Sequence, residues 1–431
     1  MKKTGLGFVA SIMLISTACG SSPSQGGQES EGSDVETITL HAAVQNHSSV
    51  EAVQALLNEY EADNNVKVVF DVLPQEEIFS KTELALASAS DQYDIIMTEN
   101  MFIPKYARAD WLLDLNDYIE STGLDMEDFS QGFLEALSSN GSVYAIPFYG
   151  ESSMLMYNKE IFEENGITSP PQTIDELVSI AEQLTKDGKY GIAMRGLRGQ
   201  GMNVYTWAGF FNAMGGQWFT EDGQPNVNSP ESIQSVEIYA DLLSNYAPPG
   251  GTEFSWDQVQ LNVQQGNVAM AIDATNFASR IEDPDNSTVV GKIGYASVPS
   301  GPAGSFPSVS TWGMAIPKHA NHPKEAFDFI SWVTSKEIQL KTALEGNRAD
   351  VTRNSVFEDP QYIERYNYDD GNWVDVTSRA FNESYANYRP RIEEWNRFGD
   401  LLGIALSEVM AGRSAEEALN NAQKEIEGFL Q

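Results

Sequence analysis

The sequence predicts an α/β protein whose sheets are mostly parallel and covered by helices on both faces. Three observations carry that expectation. A β-α-β-α-β alternation runs through residues 37–97, and helical segments with their own capping residues recur to the C-terminus. The 431 residues are 41% hydrophobic and 10% aromatic, enough for a sizeable core, and this length suggests two or three units.

The elements follow in order. Residues 37–40 read as a strand entering the polar loop Gln45, Asn46, His47, Ser48. Ser49 is placed to cap a helix that carries Val50, Val53, Leu56, Leu57 and Tyr60 at helical spacing. A Val-rich strand over 66–73 comes next, then an Ala/Leu-rich helix near 81–89 and the short apolar run 94–97. In such sheets ligands sit beyond the carboxyl ends of strands, which points to residues 45–48 and 98–100. After Pro147 a second unit begins. Thr173 and Glu176 form a capping box for a helix with Leu177, Ile180, Ala181 and Leu184 on one face. A strand at 190–194 leads into a glycine-rich loop at 195–201, followed by helices at 204–214 and 233–244 and an apolar strand at 268–272. A helix is expected over 323–344, and the last one opens on Ser414 and Glu417. There is no internal repeat.

Charge and composition exclude several functions. The chain has 62 acidic against 26 basic residues, a net charge of -36. Such a field repels phosphate backbones and anionic headgroups, so no nucleic acid partner is expected. One cysteine leaves no disulfide framework or cysteine-built zinc site, and His41, His47, His319 and His322 are too scattered for a metal cage. Gly150-Glu-Ser-Ser lacks the second glycine of a nucleophile elbow, and neither a dinucleotide fingerprint nor His-Glu-x-x-His occurs. No catalytic residue, metal or cofactor is expected, and no carboxylate pair is marked out for glycoside hydrolysis.

The N-terminus has a short basic region (Lys2, Lys3), an apolar stretch over 6–15 and small residues leading to Cys19. It resembles a bacterial lipoprotein signal, although Ser16 stands where Leu is usual. That resemblance implies a signal peptide over 1–18 and lipidation of Cys19. Residues 19–36, rich in Ser, Gly, Gln and Glu, read as a flexible tether.

The stretch from Ala145 to Gly166, with Pro147-Phe-Tyr-Gly-Glu151 and Tyr157-Asn-Lys159, resembles the extracellular solute-binding proteins of carbohydrate ABC importers. Three further stretches agree in order: 264–273, then 312–330, then 388–395 with 412–419. The resemblance spans nearly all the chain beyond the tether, is of the maltose-binding-protein type, and is closest to the sugar and polyol branch. It implies a periplasmic-binding-protein fold of two lobes, with crossings near Pro147, Asp273 and Ser331. Lobe 1 is then 37–147 plus 274–331, and lobe 2 is 148–273 plus 332–431. It also implies an extracytoplasmic, lipid-anchored monomer that binds a small carbohydrate or polyol and passes it to an ABC permease. A surface lectin or adhesin without transport is the alternative, with a glycoside hydrolase the more remote one.

A sugar or polyol presents hydroxyls and patches of C–H, which call for polar side chains and aromatic rings together. Where strands end, the sequence offers Gln45, Asn46, Glu99, Tyr149, Glu151, Arg195 and Asp273. Glu151 matches an acidic ligand contact common in the family. Trp207, Trp312, Arg348, Arg391 and Trp395 complete the candidate set. Arg195, Arg348 and Arg391 would also suit a sugar acid.

Overall fold

The computed structural model describes residues 37–430, apart from 200 and 347. The signal peptide, the tether and Cys19 lie outside the described residues. From Ile38 onward the chain forms one compact unit.

Its strands, in chain order, are β1 (Ile38–Gln45), β2 (Val66–Leu73), β3 (Ile95–Glu99), β4 (Ser138–Ser139), β5 (Ser142–Val143), β6 (Ala145–Glu151), β7 (Ser153–Asn158), β8 (Tyr190–Ala193), β9 (Val268–Ala274), β10 (Ile293–Ala296) and β11 (Ser310–Ala315). Five build a first sheet in the order β2-β1-β3-β11-β6, and four a second in the order β10-β7-β9-β8; β4 and β5 form a small ribbon. β1 runs parallel to β2 and β3, whereas β11 runs antiparallel to β3 and β6. β1 is longer than its first apolar residues suggest. Leu40 and Ala42–Val44 are all buried, so the strand continues to Gln45, which the sequence places in a loop. Strands covered on both faces read as continuous apolar runs in this way.

Each sheet has its own core. Val44, Ile96, Ile146, Met314 and Phe329 belong to the first; Met156, Ile192, Trp207, Met270 and Leu402 belong to the second. Two helices expected to be continuous are broken. The first divides into Ser48–Gln54 and Leu57–Asn64, and its cap is His47, which accepts from the Ser49 N–H, not Ser49. The other divides into Pro323–Val333 and Lys336–Glu345, because the Ser335 side chain accepts from the Ile338 N–H and starts a new helix. The Thr173 cap is present over Ile174–Leu184, but Glu176 reaches back to the Gln172 N–H at 2.7 Å instead of closing the box on Thr173. The C-terminal helix, Ala415–Leu430, buries Ala418, Leu419, Ala422 and Ile426 on its expected stripe.

The crossings lie later in the chain than the sequence places them. β6 stays in the first sheet to Glu151, so the chain leaves at Ser152 and not at Pro147. It remains in the second sheet as β10, paired with β7, and returns only at β11, so Asp273 is not the return point. Ser331 sits in a helix whose Phe327, Phe329, Ile330 and Val333 fill the first core. The last crossing lies at 349–352, where Asp350 O accepts from Gly150 N and Thr352 donates to Pro147 O.

Candidate functional site

Between the sheets lies a cleft of about 580 Å³, within the range of small-molecule sites. The end of β3 brings Glu99 to it, the end of β6 brings Glu151, and the start of β11 brings Ser310. Arg195 enters just past β8. The helix Asn203–Ala213 supplies Tyr205, and the late segment around 389–396 supplies Arg389 and Trp395.

The aromatic walls form a graded stack on the side of the first lobe. Phe102 stacks on Phe79 at 4.2 Å, Phe79 on Trp312 at 5.1 Å, Trp312 on Tyr149 at 6.1 Å, and Tyr149 on His47 at 4.1 Å. Only Phe79 and Phe102 of this series face the cleft. Trp312 and Tyr149 stand behind them, buried, and Tyr149 donates its hydroxyl to Gln45 Oε1. Opposite, the guanidinium of Arg195 lies 4.4 Å over the Tyr205 ring, and that of Arg389 lies near both Tyr205 and Trp395.

The charges are arranged in pairs. Arg195 donates from Nε at 3.0 and 3.1 Å and from Nη2 at 2.6 Å to Asp273, and from Nη1 to Gly201 O. Lys105 meets both oxygens of Glu83 at 2.8 Å. Arg389 reaches across to Glu99 at 3.5 Å, and Arg108 to Glu393 at 3.1 Å. Both contacts join the lobes, since Tyr388 and its neighbours are hydrogen-bonded to the helix Asn203–Ala213 of the second. Burial raises the Glu99 carboxyl, and Arg389 opposes that rise. Glu151 accepts from Asn276 at 3.0 Å. Desolvation pushes it up to about 7; Arg195 works against this, and Asp273, Glu99 and Asp350 reinforce it. Burial also works against the Arg195 cation, but Asp273 outweighs it and leaves the pKa raised.

Of the residues singled out by sequence, Glu99, Glu151, Arg195 and Trp395 line the cleft together. Asp273 holds Arg195 from behind, and Gln45, Tyr149 and Trp312 support the first-lobe wall. Asn46 is exposed beside β1 and bonds through its backbone to Leu73 O. Trp207 is wholly in the second core, donating to Ser235 Oγ at 2.9 Å. Arg348 is buried at the last crossing against Asp350, at 2.9 Å. Arg391 donates to the carbonyls of Glu135, Ala136 and Ser138, at the end of the helix Gln131–Ala136, outside this cleft.

Sequence reasoning missed Phe79, Phe102, Tyr205 and Arg389. Tyr205 lies two positions from Trp207 on a helix, where residues two apart point about 200° away from each other. Arg389 likewise precedes Arg391 by two. Among the described residues no group of three or more His, Cys, Asp or Glu is placed to hold a metal ion, and no helix is long and apolar enough to cross a membrane.

Known proteins share this architecture. The erythritol/L-threitol-binding protein of Mycolicibacterium smegmatis is 25% identical over 97% of this chain and 94% of its own. An ABC transporter solute-binding protein from Agrobacterium radiobacter in complex with ribitol superposes with a TM-score of 0.80, at 29% identity, over 91% of this chain and 99% of that one. A solute-binding protein from Agrobacterium vitis with bound D-mannitol gives 0.77 at 27% identity, over 91% and 98%. The two-lobed, helix-flanked fold agrees with the sequence expectation, but the sheets are mixed and not mostly parallel: two of the four pairings in the first sheet and one of the three in the second are parallel. With residues 46–340 also matching the family model for bacterial extracellular solute-binding proteins, the chain belongs to that family.

Proposed function

We propose that this protein captures a small sugar or polyol in the cleft between its lobes and delivers it to an ABC permease. The observation that carries this reading is the lining of the cleft. Phe79, Phe102, Tyr205 and Trp395 offer faces for C–H patches, while Glu99, Glu151 and Arg389 stand ready to exchange hydrogen bonds with hydroxyls. The polyol ligands of the three relatives support it. Because both lobes contribute, a ligand bridges them and favours the closed form, which a permease can distinguish from the open one. That coupling favours a transport receptor over a lectin. Binding and release suffice for this task, and no bond in the ligand is made or broken.

The test is a thermal-shift and calorimetric panel of erythritol, ribitol, D-mannitol, monosaccharides, maltose and amino acids. A ligand at 100 times its Kd stabilises the folded state by about 2.7 kcal/mol. A response confined to amino acids or peptides overturns the substrate class. Small-angle scattering with the binder reads closure: an unchanged radius of gyration favours the lectin. We further infer that Cys19 carries the lipid anchor of an extracytoplasmic monomer. Palmitate labelling of cells should mark the wild type and not Cys19→Ala.

A further inference from the structure

Arg389 differs from the other cations of the cleft. Arg195 directs all three of its donor nitrogens at acceptors, and Lys105 is held by both oxygens of Glu83. Arg389 is 5% exposed, yet its only charged contact among the described residues is the 3.5 Å approach of Nη2 to Glu99, and its Nε is buried without a hydrogen-bond partner. Nε is closed off from the cleft as well, so the donors left for a ligand are at the Nη end, held only by the long contact to Glu99, and a weakly held donor that lines a cavity can find an acceptor on whatever fills it. The rings of Tyr205 and Trp395, 5.4 and 5.9 Å from the guanidinium, limit where it can turn.

The charge around it is also particular. Lys105, Arg195 and Arg389 line the cleft with Glu83, Glu99, Glu151 and Glu393, while Asp273 stands behind Arg195 and Arg108 behind Glu393, so that each carboxylate but Glu151 has a cation beside it. A ligand carboxylate would compete with Glu99 for Arg389 and, above about pH 7, where Glu151 ionises, would face that charge with no further cation to answer it. A hydroxyl oxygen accepts from Arg389 without that repulsion, and its proton can go to Glu99 or Glu151. We infer that Arg389 is the residue that sets ligand specificity, donating to hydroxyl oxygens, and that the cleft selects uncharged polyhydroxylated ligands over sugar acids of the same carbon skeleton. This rests on the sugar or polyol reading above.

The experiment is isothermal titration of the full-length protein with ribitol, D-mannitol and erythritol, then with the aldonate matching the tightest binder. The wild type is expected to bind the polyol at least 100-fold more tightly than its aldonate. Arg389→Lys replaces a planar fork by a single ammonium and is expected to lower polyol affinity at least tenfold. Glu99→Gln removes the competing carboxylate and is expected to narrow the polyol-to-aldonate ratio at least tenfold, a change that loss of structure would not produce. An aldonate bound as tightly as its polyol overturns the charge selection. Wild-type affinity in Arg389→Lys, or an unchanged ratio in Glu99→Gln, removes the Arg389–Glu99 pair from specificity. If no polyol or sugar binds the wild type while another solute does, the failure belongs to the substrate class itself, and this inference goes with it.

Discussion

Arg195 and Asp273 are lateral neighbours, two residues beyond the last pairs of β8 and β9. Ile192 is in register with Met270 and Ala193 with Ala271, and continuing that parallel register sets the guanidinium beside the carboxylate. Asp273 is 1% exposed and Arg195 6%, so the pair is solvated mainly by itself. Removing one partner of such a pair strands the other charge and costs about 3–5 kcal/mol. Asp273→Ala is expected to lose stability on that scale in urea denaturation. Replacing both by apolar residues, Arg195→Met with Asp273→Leu, is expected to recover most of it while abolishing ligand binding. A double variant no more stable than Asp273→Ala would show that the stranded charge is not the cause.

Glu151 gives stability a pH dependence of opposite sign to that of an ordinary paired carboxylate. Unfolded, its carboxyl titrates near 4.5; folded, burial holds the proton up to about 7. Between those values the native state binds more protons than the unfolded one, so stability falls as pH rises through the window and levels off above it. Glu151→Gln cannot ionise. Its denaturation midpoint is expected to change less than that of the wild type between pH 5 and 8 and to be the higher of the two at pH 8. Equal slopes in both proteins would mean that Glu151 ionises at no cost.

Trp207 separates packing from recognition. Its indole is fully buried, donating to Ser235 and packed on Phe211 and Trp218. Trp207→Ala is expected to cost about 3–5 kcal/mol by cavity formation, with the affinity of the folded fraction within threefold of wild type. Tyr205→Ala, on the cleft side of the same helix, is expected to weaken binding at least tenfold. Calorimetry on both variants at a temperature where each is folded checks the contrast.

How much of this was legible depended on whether the information was local. The alternation that builds β1, β2 and β3 is written in apolar runs, and Glu99 follows the last of them; Glu151 is legible only through the family resemblance of residues 145–166, because β6 carries no period that marks it as a strand. β10 is only Ile-Gly-Tyr-Ala, too short for a period, and its pairing with β7 is a tertiary fact. The return to the first lobe, at β11, is therefore not legible from the apolar strand β9 that the sequence does show. Trp207 and Arg391 stand out in the sequence, whereas the direction each side chain faces, which puts Tyr205 and Arg389 in the cleft instead, is set only by tertiary packing. Phe79 and Phe102 come from elements adjacent in space only after folding, where their rings stack 4.2 Å apart.

Gly150 lies near the end of β6, just before the first crossing, and its lack of a side chain is used there. A Cβ at this position would stand 2.5 Å from Cζ of Phe133, whose ring is fully buried and packed on Phe381 at 4.6 Å. The ring cannot swing away without opening that contact, and the Gly150 backbone is tied to Asp350 O on the last crossing. Gly150→Ala is therefore expected to overpack the site and cost about 1–3 kcal/mol. Phe133→Leu shortens the side chain that the added methyl group would strike, at the cost of a small cavity of its own. Since the two residues touch, their effects should not add, and the double variant is expected to lose at least about 0.5 kcal/mol less than the sum of the singles. Additive losses in urea denaturation would mean that the backbone of β6 moves to accommodate the methyl group. Glu151, the next residue, would then move as well, and the same variant would show it as a loss of affinity.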